Sequence, residues 1–372
     1  MTLILTGPGQ TAVHRPTEFT LDGVRHSDGE VRHAYPQMGE EEPILTVTGP
    51  AGLTTAVPAF PDGAGWRVRF APPLPGHWQV VASHGVELSP PLGLDVDPDP
   101  AARGAIHPQD RAFRYESGEP FLPLGADLGP LADAPRRLAE LAAAGATVTR
   151  LAAEPPGKPA RLLDEVLDLA VERGIAVIMT LPATDWTLHA GARWAAHPAL
   201  FAWSSMSLEW TEALRAVDPY GHPIVGADFE IGPGLGDLPV VYEGDRSPWA
   251  TIFSGFAGHL GDLRFNGLSR FLAGECLGSF TPVAAGPALA LTSPNRALLW
   301  LPSTSEGSVA LGGFTPGAYT ATWCAAADGS ALRQNTVVTT DGTIRLALPP
   351  LSADTAVRLT RTVPAQRQSS PK

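Results

Sequence analysis

A single glutamate, Glu243, ends the short β-branched run LPVVYE and is followed by Gly244 and by PWATIF, which has the pattern of a helix start. Enzymes built on β/α barrels carry their chemistry at the carboxyl ends of the barrel strands, so a carboxylate in this position suggests a catalytic group. A glutamate at a strand end is also commonly a loop residue or a helix cap. The rest of the sequence has to decide between these interpretations.

The central part of the chain alternates strand and helix patterns, which predicts a parallel sheet covered by helices, either a barrel or a doubly wound fold. Strands are predicted in FLPLGADLG, ATVTRLAAEP, IAVIMTLPA, LFAWSSMSL, PIVGADF and LPVVYEG, and helices in ADAPRRLAELAAAG, RLLDEVLDLAVERG, EWTEALRAVDP, PWATIFSGFAGH and LSRFLAGECL. A complete eight-stranded barrel usually needs about 250 residues, more than the region from 105 to 285 provides. We therefore expect an abbreviated barrel.

Both flanks of this region have the pattern of all-β domains. Short β-rich pieces separated by Pro and Gly predict an N-terminal β-sandwich over residues 1–98, and DVDPDPAARG marks its end. In GWRVRFAPPLPGHWQVVAS, alternating apolar residues predict two strands joined as a hairpin through PPLPG. Period-two runs return over 287–361 and predict a C-terminal β-sandwich, and residues 362–372 have the composition of a disordered tail.

Composition and charge argue against several classes of function. The formal net charge is -12, with no visible basic patch, which opposes binding to nucleic acid or to anionic membranes. No apolar run reaches the roughly 18 residues needed to span a bilayer, and the N-terminus has no basic leader, so we expect a cytoplasmic protein. The spacing of the cysteines and histidines indicates no metal site, and no glycine-rich segment has the context of a nucleotide loop, so no cofactor is predicted.

The order of parts resembles bacterial cellulase-like glycoside hydrolases, in which an immunoglobulin-like domain precedes a β/α barrel and a small β-sandwich follows it. The likeness extends over nearly the whole chain. The segments that carry it are GWRVRFAPPLPGHWQV, FRYESGEPFLPLGADL, HPALFAW, RAVDPYGHPIV, LSRFLAGECLGSFTPV, ALLWLPSTSEG and GAYTATWCAAADG. The resemblance implies a TIM-type barrel, abbreviated here, flanked by two β-sandwich domains.

The resemblance also implies a retaining mechanism, in which one carboxylate attacks the anomeric carbon and another protonates the leaving oxygen. Glu243 in VVYEG matches the nucleophile. Arg150 in ATVTR matches the second-strand arginine that holds the nucleophile ionised in related barrels. A guanidinium beside a carboxylate favours its charged form and fixes its orientation, so the two positions are chemically consistent.

The acid/base position of the family is not matched. The family has an Asn-Glu pair after the segment similar to FAW, and without a gap Ser207 and Leu208 occupy those places. Glu209 lies one residue later and would need a bulge or a shortened strand to face inward. The alternative interpretation is that Glu209 is an acidic first-turn residue of the following helix. Both interpretations stay open, with Glu209 retained as the candidate acid/base.

The substrate site of the family is also altered. HLGDLRF stands where relatives have a Trp-rich strand, and the sixth-strand segment between GADFEIG and LPVVYEG is predicted to be deleted. Trp249 and Trp203 are candidate sugar platforms, with Trp186 and Trp194 as further candidates, and Asp127 is a candidate substrate-binding residue. An aromatic residue in a helix is more commonly part of the core.

Two functions from different classes follow. The first is a carbohydrate-active protein that hydrolyses O-glycosyl bonds in an oligosaccharide or polysaccharide through Glu243. The second is a noncatalytic sugar-binding or interaction scaffold of glycoside hydrolase descent, which the missing acid/base favours. The separation between Glu243 and a second carboxylate discriminates between them, and the candidates for that partner are Glu209, Glu154, Asp127 and Asp228.

Overall fold

The structure is a computed structural model that describes residues 3–24, 42–63, 65–153, 160–182, 186–205, 208–232, 238–261 and 264–362. The side chains of Ser205, Leu208 and Glu209 are not among the described parts. Glu154 and the predicted tail after residue 362 lie outside the described residues.

The N-terminal part is a two-sheet β-sandwich. Its strands are β1 (Ile4–Thr6), β2 (Gln10–Ala12), β3 (Thr17–Asp22), β4 (Ile44–Thr48), β5 (Thr54–Pro58), β6 (Phe60–Asp62), β7 (Gly65–Phe70), β8 (Gly76–His84), β9 (Glu87–Leu88) and β10 (Leu92–Asp97). One sheet has the order β1-β3-β7-β6, and the other has the order β2-β10-β8-β4-β5 with β9 paired to β8. Alternate side chains of β7 and β8 meet in the core between the sheets, where Val68 and Trp78 are completely buried.

The predicted hairpin between β7 and β8 is wrong, because the two strands belong to different sheets. The intervening PPLPG segment contains prolines, which have no N–H to donate to a ladder, and it carries the chain from one sheet to the other. The inward alternation that suggested the pairing is correct. It serves two facing sheets rather than one.

The centre of the chain is a barrel of eight parallel strands that is nearly closed. These strands are β14 (Leu124–Asp127), β15 (Val148–Ala152), β16 (Ala176–Leu181), β17 (Leu200–Ser205), β18 (Ile224–Val225), β19 (Glu230–Gly232), β20 (Val240–Gly244) and β21 (Gly258–Gly261). The sheet order is β18-β17-β16-β15-β14-β21-β20-β19, and a parallel bridge joins Val225 to Phe229 at the two free edges. The expected β/α barrel with flanking β domains is thus confirmed.

The barrel is shortened in its connections rather than in its strands. The predicted deletion of the sixth strand is wrong, because β19 occupies that place. Only residues 226–229 separate β18 from β19, and residues 233–239 separate β19 from β20. A helical crossover takes about a dozen residues or more, so the connection of residues 226–229 has no room for one.

Helices cover the remaining connections. They are α1 (Ala134–Ala143), α2 (Ala160–Glu172), α3 (Trp186–Trp194), α4 (Leu208–Val217), α5 (Pro248–Phe253) and α6 (Asn266–Phe271). Short 3₁₀ turns occur at Pro50–Gly52, Leu131–Asp133 and Leu277–Ser279. The sequence pattern did not predict α3, because nearly all its residues are buried and an amphipathic stripe is therefore missing. No helix in the described parts of the chain is long and apolar enough to cross a membrane.

The amino-terminal end of the barrel is closed by a small antiparallel sheet of β11 (Ile106–Gln109), β12 (Ala112–Tyr115) and β13 (Pro120–Phe121). From this sheet Phe113 inserts edge-on between Phe201 and Phe229, with ring centroids 5.2 and 5.3 Å away. These rings join the inward residues of the barrel strands in one apolar cluster. The interior of the barrel is therefore packed from its amino-terminal end, and a site for chemistry is confined to the carboxyl ends of the strands.

The C-terminal part is a second β-sandwich. Its strands are β22 (Thr281–Ala285), β23 (Ala288–Ser293), β24 (Arg296–Leu301), β25 (Ser308–Leu311), β26 (Gly317–Ala325), β27 (Ala331–Thr339), β28 (Ile344–Ala347) and β29 (Thr355–Arg361). The larger sheet has the order β22-β23-β24-β29-β26-β27, and β25 pairs with β28. Strand β24 is buried on both faces, with Leu299 in the sandwich core and Leu298 against the barrel helices.

A buried ionic cluster joins the N-terminal sandwich to the barrel. Arg193 of α3 is 2% exposed and donates to Asp62 at 3.1 Å and to Asp164 at 2.6 Å. Asp164 also accepts from Arg69 of β7 at 2.9 Å and from the indole N–H of Trp194 at 2.7 Å. Asp62, Arg69, Asp164 and Arg193 are named the joint cluster below.

Candidate active site

Strand β20 delivers Glu243 to the carboxyl end of the barrel. Val241 of this strand faces the packed interior of the barrel. Because side chains alternate along a strand, Glu243, two residues later, lies on the same side and nearer to the carboxyl end. Tyr242 points the other way, where its ring stacks on His259 at 5.6 Å. Glu243 is 45% exposed and therefore accessible to a ligand.

Two glycines let β20 and β21 approach each other directly above this position. Gly244 and Gly261 are paired in register and both have positive φ, 150° and 155°. A Cβ on Gly261 would lie 2.2 Å from the carbonyl oxygen of Gly244, closer than any side chain tolerates. The backbone after Glu243 is thus fixed by a contact that other residues cannot make.

Arg150 of β15 binds Glu243 across the mouth of the barrel. Its Nη2 donates to Oε1 of Glu243 at 2.6 Å, and its Nη1 donates to Oε2 at 3.2 Å. The same guanidinium binds Asp127 of the neighbouring strand β14, with Nε donating at 2.7 Å and Nη2 at 2.9 Å. Asp127, Arg150 and Glu243 form one hydrogen-bonded group, named the cleft cluster below.

The cleft cluster contains two carboxylates and only one guanidinium, so its acidic groups outnumber its basic one. The hydrogen bonds that Arg150 donates to Asp127 and then to Glu243 raise its pKa above the usual value, so its positive charge is permanent. Arg150 is 24% exposed and Asp127 is 59% exposed, so the group sits in an open cleft. An excess negative charge in this place would favour a ligand or transition state that develops positive charge.

Asp127 is the second carboxylate that the structure brings to Glu243. Because Nη2 of Arg150 binds one oxygen of each residue, at 2.9 and 2.6 Å, those two oxygens are separated by no more than about 5.5 Å, the sum of the two bonds. Both oxygens of Asp127 accept from Arg150, an arrangement that suits an ionised carboxylate and not a proton donor. Its predicted contact with substrate stays a prediction.

Among the other acid candidates, Asp228 is the one whose side chain the structure describes, and its contacts are with other residues. Asp228 binds Arg215 at 2.8 Å and accepts the backbone N–H of Ile224, so it stabilises the tight turn after β18. Glu209 lies in the first turn of α4, as the helix-cap interpretation predicted for its backbone, and its side chain is outside the described parts. Glu154 is also outside them. The acid/base role of Glu209 stays a prediction.

The two principal tryptophan platforms are wrong. Trp203 is completely buried and points away from the barrel axis, donating its indole N–H to Asp218 at 2.9 Å. Trp249 is 6% exposed and stacks on Phe253 at 5.8 Å in the layer between α5 and α6. Each ring fills core volume, and neither presents a face on which a sugar could lie.

The two further tryptophans differ from each other. Trp194 is completely buried, and its indole N–H donates to Asp164 of the joint cluster, so it is also part of the core. Trp186 is half-buried at the start of α3, with its ring centroid 5.5 Å from that of Trp194. Trp186 keeps one accessible side, and its role as a platform stays a prediction.

Sequence reasoning overlooked hydroxyl groups at the same level of the barrel. Thr180 and Ser204 are paired in register at the ends of β16 and β17 and are half-buried. Ile178 and Ala202, two residues earlier on each strand, belong to the barrel interior, so the alternation turns both hydroxyls inward. That alternation was readable in the sequence and could have identified them as cleft residues.

The histidines serve separate local purposes. Nε2 of His197 lies 3.2 Å from Asp168, and Nδ1 of His222 lies 2.9 Å from Asp218. Burial lowers the pKa of His189 to about 4. Across the parts of the chain that the structure describes, no group of three or more His, Cys, Asp or Glu side chains is arranged to hold a metal ion.

Solved structures provide the comparison that identifies the fold. The chain is similar to a crystal structure of a candidate glycoside hydrolase from Bacteroides vulgatus ATCC 8482, with a TM-score of 0.72 and 14% identity over 95% of this chain and 100% of that chain. The chain has a glycoside hydrolase fold. A family 5 glycoside hydrolase from the same organism gives a TM-score of 0.52 and 12% identity over 70% of this chain and 94% of that one. No protein-family model and no curated protein matches the chain.

Proposed function

We propose that this protein hydrolyses O-glycosyl bonds by a retaining mechanism in which Glu243 is the nucleophile. The observation that carries the proposal is the pair of hydrogen bonds from Arg150 to Glu243 at the open, carboxyl end of the barrel. A nucleophilic carboxylate must be accessible and fixed in direction, and Glu243 is 45% exposed and is held by two hydrogen bonds from Arg150.

In the proposed reaction an oxygen of Glu243 attacks the anomeric carbon, and the bond to the leaving oxygen breaks with its electron pair on that oxygen. Water then attacks the same carbon, and the ester bond breaks so that Glu243 is released as the carboxylate. One proton of the water stays on the new sugar hydroxyl, and the other passes to solvent or to a base. The anomeric carbon becomes positive in both transition states. The net negative charge of the cleft cluster favours that change.

Asp127 has a positioning role in this proposal. By binding Nε and Nη2 of Arg150, it holds the guanidinium in the plane from which Nη1 and Nη2 reach Glu243. A guanidinium that one carboxylate already holds in place loses less conformational entropy when it binds a second carboxylate with its other edge. Asp127 therefore acts on the reaction through Arg150.

The leaving group determines how the proposal is tested, because the described residues supply no proton donor beside Glu243. The phenolate of an acidic phenol can leave an aryl glycoside without being protonated, whereas the alkoxide of an alkyl glycoside cannot. We expect slow turnover of 2,4-dinitrophenyl glycosides, screened across common sugars, and turnover at least about 100-fold slower for the methyl glycosides of the same sugars.

Glu243→Gln is expected to lower turnover of the reactive aryl glycoside by at least about 1,000-fold, because an amide cannot form the ester intermediate. The matched control is Glu172→Gln, which changes an exposed glutamate at the end of α2, on the opposite side of the barrel. Initial rates of phenolate release give the comparison. Full activity in Glu243→Gln would assign the nucleophile to another residue.

The second candidate function is a sugar-binding scaffold without catalysis. The specific observation that favours it is the arrangement of Asp127 and Glu243, which both accept from one guanidinium and leave no described acid poised to give a proton. A scaffold would bind oligosaccharides on a glycan array and show no phenolate release from any aryl glycoside. Binding lost in Arg150→Ala would place the sugar at the cleft cluster.

A further inference from the structure

A second cavity lies at the amino-terminal end of the barrel, where the N-terminal sandwich, the connecting segment and the barrel meet. Its volume is about 390 Å³, within the range of about 300–1,000 Å³ that is typical of ligand pockets. Its walls come from residues 13–16, 71 and 73 of the sandwich, 99 and 102–106 of the connection, 115–116 of β12 and its turn, and 171, 174–176, 195–200, 220 and 222 of the barrel. It is named the seam cavity.

The seam cavity is separate from the cleft cluster. Ala176 and Leu200, which line it, begin strands β16 and β17, whereas the residues of the cleft cluster lie within the last three residues of their strands. The packed rings of Phe113, Phe201 and Phe229 lie in the barrel between the two ends. A ligand in the seam cavity would not contact Glu243.

A buried histidine is built into the wall of this cavity. His222 is 5% exposed and its Nδ1 lies 2.9 Å from Asp218, which is itself buried. Burial opposes ionisation of Asp218, but the interactions with His222, Trp203 and the N–H of Tyr220 outweigh it and lower the pKa of Asp218. Because the ionised carboxylate only accepts, Nδ1 of His222 is the donor.

This orientation leaves Nε2 as the ring nitrogen of His222 that can meet a ligand, because Nδ1 is engaged by Asp218 and the residue lines the cavity. A ring nitrogen accepts a hydrogen bond when it is unprotonated and donates one when it is protonated. A hydroxyl group both donates and accepts, so it suits Nε2 in either form.

The seam cavity also carries two arginines whose charge is not balanced by a carboxylate. Arg15 and Arg103 are exposed side chains that line it, and among the described residues neither forms an ion pair with an acid. The guanidinium of Arg103 lies over the ring of Tyr115, 4.1 Å from its centroid. A planar guanidinium with free donors is the side chain best suited to bind a carboxylate.

The acids of the cavity are already engaged by the protein. Glu116 lies 3.6 Å from His14 and 3.6 Å from His107 and accepts the backbone N–H of Ala105. Its hydrogen bond with His107 is the main cause that lowers the pKa of Glu116. Asp99 accepts the N–H of Ala101 in a local turn. The donors of Arg15 and Arg103 are therefore left for a ligand.

We propose that the seam cavity binds a small hydroxylated carboxylate of monosaccharide size. Its carboxylate is held by Arg15 and Arg103, and one of its hydroxyl groups forms a hydrogen bond with Nε2 of His222. The apolar part of the wall, which includes Ala71 and Ile175, covers the carbon skeleton. This proposal does not depend on the hydrolytic function of the cleft cluster.

The test uses the full chain and two probes of the same size, sodium glucuronate and glucose, which differ by a carboxylate in place of a hydroxymethyl group. Isothermal titration calorimetry is expected to show glucuronate binding at least about 10-fold tighter than glucose. Arg15→Ala and Arg103→Ala are each expected to weaken glucuronate binding by about 10-fold or more. His222→Gln is expected to weaken it as well, and because that residue is buried, the two arginine variants carry the test if His222→Gln does not fold.

Two controls make the result specific to the seam cavity. Arg136→Ala removes an exposed arginine of α1 and should leave glucuronate binding unchanged. Glu243→Gln should also leave it unchanged, because it alters the other end of the barrel. Equal binding of both probes, no binding of glucuronate, or loss of binding in Glu243→Gln would each overturn the proposal.

Discussion

The joint cluster and the cleft cluster each contain an arginine bound to two carboxylates, Arg193 in the first and Arg150 in the second, in opposite environments. Arg193 is 2% exposed, and its partners Asp62 and Asp164 are 17% and 19% exposed. Arg150 is 24% exposed, and its partner Glu243 is 45% exposed. Pairs of the first kind fix one element against another, whereas those of the second kind keep their outer surfaces for a ligand. The difference in solvent exposure distinguishes a contact that joins two domains from a group that can bind a ligand.

The largest expected effect is on stability, from removing the central cation of the joint cluster. Arg193→Met keeps most of the side-chain volume but removes the charge-assisted hydrogen bonds to Asp62 and Asp164, which keep one arginine each, Arg67 and Arg69. We expect a loss of about 3 kcal/mol in the free energy of unfolding. Urea denaturation measures it. A loss below about 1 kcal/mol would show that the joint cluster resembles the cleft cluster energetically.

The same substitution in the cleft cluster should separate activity from stability. Arg150→Met is expected to slow turnover of the reactive aryl glycoside by about 100-fold or more, since Glu243 loses its orientation and the partner that favours its charge. The free energy of unfolding should change by under about 1 kcal/mol, because the group is partly solvated. Kinetics and urea denaturation on one preparation give both numbers. A large loss of stability with unchanged turnover would reverse the assignment.

The smallest expected effect is a dependence of stability on pH from Asp164. Burial opposes its ionisation, but Arg69 and Arg193 outweigh burial and lower the pKa of Asp164 from 3.8 to about 2. Between these pH values the unfolded chain takes up a proton that the folded chain does not, so stability falls as the pH falls. The difference in unfolding free energy between wild type and Asp164→Asn should therefore be constant above about pH 5 and shrink from pH 4 to 2. A difference that stays constant down to pH 2 would contradict the assigned role of Asp164.

Local pattern predicted much of the barrel and placed Glu243 at the carboxyl end of a strand. Arg150 was identified only through the resemblance to a known family. Strand β19 was overlooked because Glu230–Gly232 is too short to show a period. The register of Asp127 with Arg150 depends on strand pairing, which the two segments do not encode separately.

The tryptophan platforms failed for a different reason. Trp203 and Trp249 are surrounded by the helix layer, and burial of an aromatic ring depends on elements distant in sequence. The joint cluster could not be predicted for the same reason, because Arg69 and Asp164 are 95 residues apart. Contacts of this range follow from tertiary packing, which periodicity does not contain.

The central claim is that the carboxylate of Glu243 bonds to the anomeric carbon, and covalent trapping tests it most directly. A 2-deoxy-2-fluoro glycoside with a dinitrophenolate leaving group forms the ester faster than water removes it, so the intermediate accumulates. With the sugar found in the aryl glycoside screen, the account predicts one fluoroglycosyl adduct in the intact mass, located by peptide mapping on Glu243. Phenolate release with an adduct on a different residue, or with none at all, would contradict it.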